Sequence, residues 1–114
     1  MALFEDLIEE VFSLDPNVRY VAVLDNFGQH VSGGMREGKT SINPMEEEDK
    51  LFSQTIISRG MSETWRKYFG PLRYLIVAHE RLLVIQFPCT ENSFLVTAEP
   101  DVSLDLVGRL KQVS

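Results

Sequence analysis

Between Pro44 and Phe69 the chain reads as one long helix with two apolar stripes, where a helix lying on a small sheet needs only one. At roughly 100° per residue, Leu51, Phe52, Thr55 and Ile56 share one face. Ile57, Met61, Thr64, Trp65 and Tyr68 lie roughly opposite. Pro44 suits the first turn of this helix, with Asn43 as its cap. The acids Glu46, Glu47, Glu48 and Asp49 stand where the helix dipole favours them, and Arg59, Arg66 and Lys67 stand towards the other end. Two arrangements satisfy the pattern. Either the helix breaks at Gly60 and each half turns its own stripe inward, or it runs straight and the second stripe is covered by something outside the domain. Gly60 fits both, since it costs about 1 kcal/mol in a helix interior but permits a kink or a close helix approach.

The rest of the chain falls into short elements around that segment. Leu3, Phe4, Leu7, Ile8, Val11 and Phe12 recur at helical spacing with Glu5, Asp6, Glu9 and Glu10 behind them, and Asp15-Pro16-Asn17 stops the helix near Leu14. From Val18 to Asp25 the residues alternate, with Val18, Tyr20, Ala22 and Leu24 set against Arg19, Val21, Val23 and Asp25. Both faces are largely apolar, as in a strand inside a sheet. Asp25-Asn26-Phe27-Gly28 supplies turn residues, with Asn26 and Gly28 able to take positive φ, and leads into a second strand from Gln29 to about Met35. So short a link makes the pair antiparallel. Gly33-Gly34 signals a bulge, a strand end or a close backbone approach. Gly70-Pro71 ends the long helix, and strands Leu72 to Ala78, Leu82 to Phe87 and Ser93 to Ala98 follow through short hairpins. Asp101 is placed to cap a last helix through Lys111, with Leu106, Val107 and Leu110 inward.

The 114 residues, 44% of them hydrophobic, form a single domain over 1–114 with enough apolar content for a core. The single cysteine, Cys89, excludes a disulfide framework. Apolar runs such as Leu82 to Ile85 are far short of the ~20 residues that span a bilayer, and the N-terminus lacks a basic segment of the signal-peptide kind. A soluble cytoplasmic protein is expected. A net charge of −6 argues against nucleic acid and anionic membrane surfaces as partners. The charge is uneven: residues 1–50 hold 11 acids and 4 bases, and residues 51–114 hold 6 acids and 7 bases. Such asymmetry solvates helix faces or orients a partner or a second copy.

No active site is evident. Gly33-Gly34-Met35-Arg36-Glu37-Gly38-Lys39-Thr40 matches the phosphate-loop pattern letter for letter, but that loop needs a buried parallel strand before it and a helix starting at its Lys-Thr end. Here the strand is the second arm of a hairpin and the helix begins several residues later, so the segment reads as a Gly-rich loop. His30 and His79 lack the spacing of a metal site, and Cys89 lacks a positioned base. The run Glu46 to Asp49 lacks the alternating ligands and glycine turn of a calcium loop. Neither a metal nor a cofactor is expected, and no catalytic residue is assigned. Trp65, Tyr68, Phe69 and Tyr74 cluster around a helix end and the following strand, where aromatics more often serve as core than as interface, yet Trp and Tyr with Arg66 and Arg73 are residue types enriched at interface centres.

The element order, helix, two strands, helix, three strands, helix, resembles the roadblock (dynein light chain) domain family over nearly the whole chain. Val18 to Asp25 and His30 to Gly34, joined by Asp25-Asn26-Phe27-Gly28, carry the likeness. The chain is also similar to small uncharacterised archaeal proteins of this type, through Val23-Leu24-Asp25, Gly33-Gly34-Met35-Arg36 with Gly38, Glu46-Glu47-Glu48, Arg59-Gly60-Met61 and Leu95-Val96-Thr97-Ala98-Glu99. The resemblance implies an α+β, profilin-like sandwich: a five-stranded antiparallel sheet with the long helix on one face and the terminal helices on the other. It implies a homodimer in which the long helices lie antiparallel and the following strand, Leu72 to Ala78, pairs at the sheet edge. It also implies a scaffold or regulator of small GTPases without catalytic residues of its own. The interface expected on this basis is Met61, Trp65, Tyr68, Arg73, Tyr74 and Ile76. The alternative is a ligand-binding sensor with a pocket between sheet and long helix near Tyr20, Phe52 and Trp65.

Overall fold

The computed structural model describes residues 2–40, 42, 48–89, 91–102 and 105–113. The elements are α1 (Ala2–Leu14), β1 (Val18–Asp25), β2 (His30–Met35), α2 (Glu48–Ser62), a 3-10 turn (Glu63–Trp65), α3 (Arg66–Phe69), β3 (Leu75–Ala78), β4 (Leu83–Pro88), β5 (Asn92–Ala98) and α4 (Asp105–Val113). The expected cap Asn43, the first-turn Pro44 and the acids Glu46 and Glu47 lie outside the described residues. No helix among the described residues is long and apolar enough to cross a membrane.

The five strands form one sheet in the order β2-β1-β5-β4-β3, and every neighbouring pair is antiparallel. One side of the sheet is sealed by α1 and α4. Ile8 and Val11 of α1 and Leu106, Val107 and Leu110 of α4 pack onto Val21, Val23, Ile85 and Val96 in a single buried cluster. On the other side Phe52 of α2 packs onto Tyr20, Ala22, Leu24, Val84 and Leu95. The α+β sandwich and the placement of its helices follow the sequence reading.

Strict alternation fails at one point in β1. Val18 joins the cluster under α1 and α4, on the side of Val21 and Val23, whereas Tyr20 faces α2. The ladder to β5 shifts register between Val18 and Tyr20, and this extra residue carries Val18 across to the other face. The turn that follows is built on Asp25, whose Oδ1 accepts the Phe27 and Gln29 amides at 2.8 and 3.0 Å. Only Gly28 takes positive φ there, at 80°, and Asn26 does not.

Gly33 shows why the second strand carries a glycine pair. Its φ is 101°, and a Cβ at this position would stand 2.1 Å from the Val21 carbonyl oxygen. The strands approach too closely there for any side chain. Gly33, Gly34 and Met35 therefore belong to β2 rather than to a loop. Beyond them Lys39 lies 3.8 Å from Glu99, and the Thr40 carbonyl accepts Arg19 at 2.9 Å. Among the described residues Lys39, Thr40 and Ile42 lie in no helix, whereas a phosphate loop requires one to start at Thr40.

Two further expectations are corrected. Strand β3 starts at Leu75 rather than Leu72. Extending its register from Leu75 and Gln86 would set Arg73 opposite Pro88, which has no N–H to give. Helix α4 starts at Asp105, and Asp101 lies in the preceding turn, where the Val102 amide bonds Glu99 O at 3.1 Å and the Val102 side chain is buried in the core.

Candidate interaction surface

The long helical segment divides its residues as the spacing predicts. Phe52 and Thr55 are buried, with Leu51 and Ile56 half-buried. Thr55 satisfies its hydroxyl by donating to Leu51 O at 3.0 Å. On the outer side Ile57 (59%), Met61 (70%), Trp65 (53%) and Tyr68 (68%) are exposed. Helix α2 continues regularly through Gly60, where a Cβ would meet nothing within 4 Å, so the break expected there as one alternative does not occur. The geometry changes only at Glu63–Trp65, and neither that turn nor α3 buries a residue. The second half does not turn inward, and its stripe faces outward.

Two contacts fix α2 in place. At its middle it settles on the β1–β2 turn, where a Cβ on Gly28 would lie 3.1 Å from Ile56 Cγ1. Near its end Arg59 reaches the β4–β5 turn, donating to Ser93 Oγ at 3.2 Å, to Asn92 O at 3.3 Å and to Cys89 O. Sequence reading took Arg59 as a cation balancing the helix dipole. Its role as a clamp depends on partners about thirty residues away or more, which no local spacing reveals.

Around α3 the apolar face becomes aromatic. The Trp65 and Phe69 rings stack at 5.6 Å and 16°, and Lys67 lies 5.1 Å above the Tyr68 ring. Phe69, weighed with the aromatic cluster but not among the expected interface residues, is 78% exposed, and its i, i+4 relation to Trp65 is the signal that sets it on the same face. The chain runs from α3 into β3, which is an edge strand bonded, among the described residues, to β4 alone. Its Tyr74 and Ile76 turn towards the α1/α4 side: Tyr74 packs on Phe87 at 6.0 Å with Lys111 above it at 5.8 Å, and Ile76 is half-buried against that core. Val77 is exposed at the edge. Among the expected interface residues the structure thus gathers Met61, Trp65 and Tyr68 on the helical face, and sets Tyr74 and Ile76 on the other side of the edge strand. Arg73 lies in the unpaired stretch before β3.

The residues weighed for chemistry are engaged elsewhere. His30 Nε2 hydrogen-bonds Gly33 O at 2.9 Å, and its ring lies 6.2 Å from Phe52. Cys89 is half-buried; burial pushes its thiol pKa up, partly offset by the Arg59 charge, which is the reverse of an activated nucleophile. Among the described residues no three His, Cys, Asp or Glu side chains gather as a metal site would require. Nor does the structure bring Tyr20, Phe52 and Trp65 round one cavity, since Tyr20 and Phe52 pack together in the core while Trp65 stands outside.

Two arginines that sequence reading missed organise the opposite side. Arg36 donates to Val18 O and Phe12 O at 2.6 Å and to Asp15 O at 2.9 Å, and stacks over the Phe12 ring at 5.0 Å. Arg109 donates to Leu14 O at 2.7 Å. Together they satisfy carbonyls at the end of α1, whose last turn has no basic residue of its own.

No curated protein matches the sequence. Among solved structures, an MglB with a tetrameric arrangement superposes with a TM-score of 0.77 at 13% identity, covering 94% of this chain and 78% of that one. The gliding protein MglB from Thermus thermophilus gives 0.75 at 12% identity, covering 95% and 82%. A Roadblock/LC7 domain from Streptomyces avermitilis gives 0.69 at 13% identity, covering 93% and 86%. These likenesses agree with the architecture described above and establish a roadblock-like fold. Residues 3–112 match the model of a family of unknown function, DUF6659, and the chain belongs to that family.

Proposed function

We propose that this chain is a non-enzymatic, cytoplasmic, homodimeric interaction module, an adaptor or regulator of a small GTPase or a related signalling system. The observation that carries the reading is the exposed apolar face formed by Ile57, Met61, Trp65, Tyr68 and Phe69 beside the open edge of β3. Monomeric proteins seldom leave so continuous an apolar surface in water, and a second copy laid across it removes it from solvent. An edge strand with unpaired backbone groups accepts a partner strand and joins two sheets into one platform. The roadblock-like fold supports the assignment to regulation, and one of its structural neighbours is described as tetrameric.

The mechanism is surface presentation. Two-fold pairing through Met61, Trp65 and Tyr68, with Arg73, Tyr74 and Ile76 at the flank, builds a symmetric surface on which charge selects the partner. Light scattering after size exclusion, over about a hundredfold range of concentration, tests the first step. The expected mass is twice 13.0 kDa. Trp65→Glu is expected to leave a folded monomer, and a wild-type mass of one chain throughout would overturn the dimer.

A further inference from the structure

We propose that the cleft at the β4–β5 end of the sheet binds a small organic polyanion carrying two or more phosphate groups. The cleft has a volume of about 520 Å³ and lies between the end of α2, the stretch before β3, the end of β4 and the tip of α4. Arg59, Arg66, Arg73 and Lys111 line it, with Glu63 the one carboxylate among the described lining residues. Four of the chain's eleven lysines and arginines thus meet in one concavity of a protein whose net charge is −6. Like charges gathered in a concave site repel one another, and an anion seated among them relieves that repulsion.

The cations come from separate elements and are differently held. Arg59 is anchored by the carbonyls of Cys89 and Asn92, which fixes the position of its charge. Arg66 lies 3.5 Å from Glu63 along the same helical turn, at the surface. Arg73 sits where Pro88 denies β3 its next ladder bonds, so the residue that ends the strand also opens the cleft. Lys111 rests over the Tyr74 ring on the far wall. Arg59, whose two terminal nitrogens serve Asn92, Ser93 and Cys89, contributes its charge rather than a fork, whereas the planar guanidinium of Arg73 is suited to grip phosphate oxygens in pairs, and positive charge on several walls of one space favours a ligand with more than one phosphate. The volume lies within the range of about 300–1,000 Å³ usual for small-molecule sites, and Phe87 and Pro88 add an apolar wall for the ligand's organic part.

Arg73, and Tyr74 beneath Lys111, also flank the interface proposed above, so the mass in solution is measured for each variant beside its binding, which keeps the two readings separable. Inorganic pyrophosphate, titrated calorimetrically into the intact chain at matched ionic strength, is expected to bind saturably, one per chain. Arg73→Gln and Lys111→Gln, both at exposed positions, are each expected to weaken binding about tenfold or more, the scale of one lost charge-assisted bond. Lys111→Gln is expected to leave the mass in solution unchanged, and thermal melts verify that both variants fold. Arg81→Gln, in the turn at the opposite end of β4, is expected to bind like the wild type. The proposal is overturned if pyrophosphate gives no more heat than matched chloride, if both cleft variants bind as tightly as the wild type, or if Arg81→Gln weakens binding equally. Retention on phosphatidic-acid vesicles without binding of free pyrophosphate would also overturn it.

Discussion

The two sides of the sheet are built to different degrees of completion. Under α1 and α4, fifteen of the described residues form one buried cluster, with Phe4, Leu7, Phe12 and Leu14 packed at its margin. Under α2 the cluster is six of the described residues, with Met35, Leu51 and Leu82 packed at its margin, and the helix contributes Phe52 to its buried part. The first side closes the hydrophobic core within one chain. The second closes the sheet but leaves the outer stripe of its own helix in water, so the same helix serves as a lid on one face and as an unfinished surface on the other.

The sharpest way to break this comparison is to cut equally large side chains from both sides. Leu106 is fully buried, and Leu106→Ala is expected to cost about 2–5 kcal/mol in urea denaturation. Met61→Ala removes a side chain that is 70% exposed and is expected to stay within about 0.5 kcal/mol in dilute solution. Equal costs in dilute solution would contradict the division. A Met61→Ala cost that grows with protein concentration would instead show a second copy completing the open side.

A smaller effect tests how far the sealed side extends. Arg36 reaches three carbonyls around the end of α1 and the start of β1, and Arg36→Met keeps most of the stem but removes the guanidinium from all three, while Asp15 O keeps the Val18 amide at 3.2 Å. The expected loss is about 2 kcal/mol, with faster amide exchange at the end of α1 than in β5. Unchanged exchange there would mean that water replaces the guanidinium without cost.

Gly60 sharpens the comparison from the open side. Nothing lies within 4 Å of a Cβ built on it, and the helix around it is regular. Gly60→Ala is therefore expected to stabilise the dilute chain by up to about 1 kcal/mol. If the same change lowers the mass measured at high concentration, the partner's backbone approaches the helix at this position.

Most of the architecture was legible because periodicity reports burial directly. Helical spacing in α1 and α2, near-continuous apolar runs in β1 and β4, and Gly-Pro or Asp-Asn punctuation between elements all reflect local constraints. The division of α2 into Phe52 and Thr55 inward and Ile57 and Met61 outward was readable for the same reason. What escaped depends on partners distant in sequence. The bulge that moves Val18 across the sheet is a property of its pairing with β5, and the early end of β3 is a property of Pro88 on the neighbouring strand. Arg36, Arg59 and Arg109 act on carbonyls brought near by the fold, and no spacing within the chain marks them.

The smallest predicted effect concerns the end of β5, where Glu99 joins both halves of the chain's charge. Its Oε1 accepts Arg19 at 2.8 Å and lies 3.8 Å from Lys39. The hydrogen bond from Arg19, with the nearby positive charges, holds its pKa below the ordinary value of 4.5, against some opposing desolvation. Because the folded form binds its proton less tightly than the unfolded form, the interaction stabilises the fold fully above that ordinary value. It fades as pH falls through the lowered pKa of the folded state. Glu99→Gln is expected to be slightly less stable than the wild type near neutrality and to converge with it in acid. The check is the difference between the two in urea midpoints across the acid range. The shift should be small because the pair lies at the surface, whereas a gap that widened in acid would assign the pH dependence to another carboxylate.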